Sequence, residues 1–161
     1  MESKLRTYTQ EEALALAKQC TTSSEVLDLI ARDKEQEEEI KTFIARHPNT
    51  NSKTLVYLLK YDKIEMMGAI AEHPNTSPEI LELMVKSSDK LYTQYKLAQN
   101  PNTPSEALEE LADEIDDEHV RLAIAQNPNT SQSTLKTLFE DTSLIRIEAQ
   151  KNYEEQEELS K

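Results

Sequence analysis

The hexapeptide Ala-Gln-Asn-Pro-Asn-Thr stands at residues 98–103 and again, unchanged, at residues 125–130. Near copies, with His in place of the first Asn, occupy residues 71–76 and 45–50. Their prolines, Pro48, Pro74, Pro101 and Pro128, are spaced by 26, 27 and 27 residues. Weaker traces extend the series in both directions. Cys20 takes the proline slot in residues 17–22, and Tyr153 takes it after Asn152. A period of this length implies a chain built of small units, none able to bury its own apolar face, each stacked on its neighbours.

Each copy reads as a helix stop followed by a helix start. The residue before proline is pushed out of the α region, so helices should end near His47, His73, Asn100 and Asn127. Thr22, Thr50, Thr76, Thr103 and Thr130 then fall at one aligned position suited to an N-cap. Three of them carry Glu at the capping-box distance, Glu25, Glu79 and Glu106, and Pro104 fits a first helical position. Behind each cap comes an apolar pair on one helix face: Leu27/Ile30, Leu55/Leu58, Leu81/Met84, Leu108/Leu111 and Leu135/Leu138. A polar turn and a second helix complete the unit, as in Val-Arg-Leu-Ala-Ile-Ala-Gln-Asn at residues 120–127. The single glycine, Gly68, removes most routes to hairpins and phosphate-cradling loops, so helices dominate by exclusion too.

These features predict an all-α fold of about five helix-turn-helix repeats, near residues 17–44, 45–70, 71–97, 98–124 and 125–152. Thr9 and Glu12 make a further capping-box spacing, which places an N-terminal capping helix within residues 1–16. Residues 153–161 read as an acidic C-terminal tail.

The units from Asn100 to Thr130 closely resemble the leucine-rich repeat variant family, whose repeats read roughly Asn-Pro-Asn-Thr-Pro-x-x-Leu-x-x-Leu-Ala followed by a Val-Arg-x-Ala-Val-Ala segment. The resemblance covers residues 17–152, loosening where Cys20 and Tyr153 replace proline. It implies a right-handed superhelical solenoid without strands, and no catalytic chemistry. The longer units here leave room for both helices to be α, closer to HEAT repeats. Some members of the family carry an iron–sulfur segment, but one cysteine cannot hold a cluster.

The function expected is that of a non-enzymatic module offering an extended helical surface to a protein partner. No Ser/His/Asp order or carboxylate pair stands out from the general abundance of Asp and Glu. His47 and His73 read as hydrogen-bonding residues of the turn rather than metal ligands, because Asn100 and Asn127 share their slot. Asn49, Asn75, Asn102 and Asn129 read as a structural ladder. Cys20 reads as a buried structural thiol. No cofactor or metal is expected.

The column Lys41, Met67, Gln94, Arg121 and Arg146, on the second helices, is the candidate partner-facing stripe. Tyr92 and Tyr95 add amphipathic anchors beside it. A net charge of −13 argues against direct binding of nucleic acid or an anionic membrane face. The same charge opens an alternative, an acidic mimic of nucleic acid that occupies a nucleic-acid-binding protein. The first residues show no signal-peptide core, and no apolar run is long enough to span a bilayer, so a cytoplasmic protein is expected.

Overall fold

The computed structural model of the protein describes residues 8–159. Among them every regular element is helical, and none is a strand. The chain divides into two compact units at Thr76/Ser77. The first contains α1 (Gln10–Lys18), α2 (Ser24–Arg32), α3 (Glu38–Arg46), α4 (Ser52–Leu58) and α5 (Ile64–Glu72). The second contains α6 (Pro78–Ser87), α7 (Leu91–Gln99), α8 (Ser105–Glu114), α9 (Glu118–Gln126) and α10 (Gln132–Thr137). A 3-10 turn (Leu138–Glu140) and α11 (Ser143–Leu159) complete it.

Within each unit the helices form two layers. In the first, α3 packs on α1 and α5 while α2 packs on α4. In the second, α9 packs on α7 and α11 while α8 packs on α6 and α10. The five apolar pairs are all buried, with at most 2% exposure. Removing that area from water is the main stabilising term, at about 1.5 to 3 kcal/mol for each fully buried Leu, Ile or Met.

Helix ends follow the proline rule. His47, His73, Asn100 and Asn127 are C-caps with extended backbone, ψ between 122° and 131°, and each stops its helix one residue before proline. No non-glycine residue among those described has positive φ, so the turns close without left-handed geometry. Where Tyr153 replaces proline, nothing forces a stop, and α11 runs on to Leu159. Residues 153–159 of the expected acidic tail are therefore helical, and 160–161 lie outside the described residues. Tyr153 packs edge-on against Phe139, with ring centroids 5.9 Å apart.

The capping reading is right at Thr9 and wrong at the repeat threonines. Thr9 and Glu12 form the reciprocal box that starts α1, which ends at Lys18; residues 1–7 of the expected cap lie outside the described residues. The N-caps of α2, α4, α6, α8 and α10 are Ser23, Asn51, Ser77, Pro104 and Ser131, each one residue past the threonine. Pro104 thus precedes the helix instead of opening it.

The threonines face the helix behind them. Thr22, Thr50, Thr76, Thr103 and Thr130 donate their hydroxyls to Leu16, Ile44, Ile70, Leu97 and Ile124 carbonyls, over 2.5 to 2.7 Å. These carbonyls lie in last turns that the helices leave short of partners, so each threonine seals an end rather than a beginning.

Candidate interaction surface

The repeated spacing of the polar loops has a specific geometry. In the first unit His47 Nδ1 accepts from Asn49 N–H at 3.1 Å, which makes the other ring nitrogen the donor, and Nε2 reaches Gln19 O at 2.9 Å. His73 repeats this with Asn75 N–H and His47 O. In the second unit Asn127 does the same with an amide: Oδ1 accepts from Asn129 N–H, while Nδ2 donates to Ala98 O and Asn100 O at 2.7 and 2.9 Å. Asn152 continues the pattern onto Ala125 O and Asn127 O.

A parallel ladder runs beside it. Asn49, Asn75 and Asn129 each donate to two carbonyls of the preceding loop. Gln156 takes over this role on Pro128 O and Thr130 O where the loop motif gives way to helix. The polar hexapeptide is thus occupied with backbone, and His47 and His73 have both ring nitrogens engaged. Cys20, expected to be buried, is exposed, like the prolines whose slot it shares.

Burial lowers the pKa of His73 below its ordinary value, with the hydrogen bond to the His47 carbonyl opposing it. The unfolded chain then takes up the proton at a higher pH than the folded one, so this stability is complete above about pH 6.5 and is lost as pH falls below it. The wild-type melting temperature should therefore decline between pH 7 and 5. His73→Asn, which installs the residue found at Asn100 and Asn127, should flatten that decline; an unaltered slope would exclude His73 as its source.

The candidate stripe is not a surface stripe. Lys41 is 2% exposed and donates to Gln36 O at 2.9 Å; Gln94 is 6% exposed and donates to Ser88 O at 3.0 Å. Arg121 is half-buried, paired through two nitrogens with Asp141, and bonded to Ala112 O and Ile115 O. These three long donors fold back onto the turn between the two helices of their pair, where carbonyls lack helical partners. Met67 is half-buried, and only Arg146 is exposed.

Tyr92 and Tyr95 do lie on an accessible face. They occupy the second and fifth positions of α7, where α9 has His119 and Leu122 and α11 has Leu144 and Ile147. Because α9 packs on both neighbours, the six residues form two rows across three adjacent helices. Tyr92, Leu144 and Ile147 are 43%, 51% and 56% exposed. Tyr95 accepts from Gln99 Nε2 at 2.8 Å, and Lys96 lies 5.8 Å from the centre of the Tyr92 ring. The same positions in the first unit are Glu11, Leu14, Glu39, Thr42, Glu65 and Gly68, so no apolar row forms there.

Leu144 and Ile147 are the members missed in the sequence. Extending the Tyr92/His119 and Tyr95/Leu122 alignment by one unit would have found them. Compared with known families, curated proteins and solved structures, the chain matches none. Among the described residues no cluster of three potential metal ligands occurs, and no helix is long and apolar enough to cross a membrane.

Proposed function

We propose that the chain is a helical-repeat solenoid of about five helix-turn-helix units, of the leucine-rich repeat variant kind, acting as a non-enzymatic protein-interaction module. What supports the repeat reading is the recurrence, inside each unit, of the same loop-to-loop hydrogen bonds one period apart. The docking surface is the outward face of α7, α9 and α11. The observation that carries this is the pair of aligned rows, with Leu144 and Ile147 more than half exposed although buried alternatives exist on the same helix. Scattered exposed apolar residues are ordinary, whereas contiguous ones on a rigid face mark interaction sites.

The test is affinity capture from cells by the immobilised protein, with Leu144→Asp/Ile147→Asp as the comparison. The expected result is loss of specifically captured protein with the melting temperature within a few degrees of wild type. Equal capture by the variant would remove this face from the function.

The acidic-mimic reading retains one supporting observation. Eight of the thirteen residues 106–118 are acidic, most of them exposed. It differs in its salt response, because exposed charges are screened within about 8 Å at physiological ionic strength. Capture that vanishes with moderate salt and ignores the apolar substitutions would favour it.

A further inference from the structure

The occupant of the α7/α9/α11 face can be specified further, on the premise that this face is the docking surface. Adjacent packed helices lie about 8 to 10 Å apart. An α-helix advances about 10.5 Å in seven residues. A partner helix laid across α7, α9 and α11 would therefore meet one helix of the face with each heptad. The rows themselves lie three residues apart, about 4.5 Å along the helix axes. That separation lies within the width of one amphipathic helix's apolar stripe.

Charge selects among such helices. Residues 77–161 carry 18 Asp and Glu against 8 Lys and Arg, whereas residues 1–76 carry 13 against 10. The acidity is therefore concentrated in the unit that bears the rows. At the edge formed by the helix N-termini, Asp116 and Glu118 are exposed on either side of Asp117, the N-cap of α9. Among the described residues neither carboxylate forms an ion pair, and Glu118 accepts only from the Thr142 hydroxyl, at 3.4 Å. The opposite edge balances Lys96 and Lys151 against Glu148 and Glu155, whereas the N-terminal edge stays net negative, its Lys90 being paired with Asp89.

We infer that the face binds a basic amphipathic helix of a partner protein, about three heptads long, with its apolar stripe on the two rows and its Lys or Arg residues toward Asp116 and Glu118. The field of the acidic unit would speed encounter, and the rows would fix position.

Synthetic three-heptad helical peptides with identical leucine stripes and Lys, Gln or Glu elsewhere separate the alternatives, using fluorescence anisotropy with the whole protein. The Lys peptide should saturate at one site, the Glu peptide should fail, and Leu144→Asp/Ile147→Asp should weaken the Lys peptide about tenfold or more. That variant adds negative charge, so a loss cannot come from weaker electrostatics. Equal binding of the Lys peptide by the variant would overturn the inference, since charge alone would then hold it. If the Gln or Glu peptide binds as well as the Lys peptide and the variant loses it, the docking face stands and the basic occupant falls. Wild-type dimers in sedimentation that the variant cannot form would assign the face to a second copy and overturn the inference too.

Discussion

Leu108→Ala should cost about 3 to 5 kcal/mol, near the top of the range for leucine truncations in closed cores. Leu108 is fully buried on α8, which packs against α6, α7, α9 and α10. With neighbours on so many sides held by their own contacts, the cavity has little freedom to collapse, and the lost dispersion is not recovered. The melting temperature should fall on the order of 10 °C. Thr103→Val sets the contrast. It keeps the shape but removes the hydroxyl from Leu97 O, which still accepts from Asn100 N–H at 3.2 Å, so about 1 kcal/mol is expected. Denaturant melts ranking Thr103→Val as the worse variant would reverse the assignment of what holds α8 in place.

Asn127→Ala should cost about 2 to 4 kcal/mol, although it deletes only a short polar side chain. The side chain is 3% exposed and makes three hydrogen bonds to backbone, two donated and one accepted. Its loss strands Asn129 N–H and weakens the satisfaction of Ala98 O and Asn100 O where water has poor access. Gln126, next in the chain but exposed, should tolerate alanine within about 0.5 kcal/mol. Similar losses at both positions in chemical denaturation would show that the loop bonds contribute little.

Local sterics made most of the fold readable. The pre-proline rule placed four helix ends on the residues that became C-caps, and the i, i+3 leucine pairs identified the buried faces. The threonines were misread because a Thr before Ser or Pro with Glu three residues on satisfies the N-cap pattern. Only the folded turn shows the hydroxyl beneath the preceding helix. The stripe was misread for a related reason: variable, long and polar residues look like surface. Yet Lys41, Gln94 and Arg121 lie four residues before Ala45, Ala98 and Ala125, the buried small residues near each helix end, and i, i+4 neighbours share a face. Helical geometry alone pointed them inward. The tail, read from its acidity, hid two anchors: Tyr153, packed against Phe139, and Gln156, whose carbonyl partners lie about one period earlier in the chain.

His47, His73 and Asn127 occupy one repeated structural position, each bonding its loop to the loop before it. The most direct measurement is the thermal melt of Asn127→His beside Asn127→Leu at pH 8. Histidine can supply the donor and acceptor that His73 uses, and it is neutral there. Asn127→His is predicted to melt close to wild type, and Asn127→Leu, which fills the space but makes no bond, far below it. Equal losses in the two variants would contradict the claim.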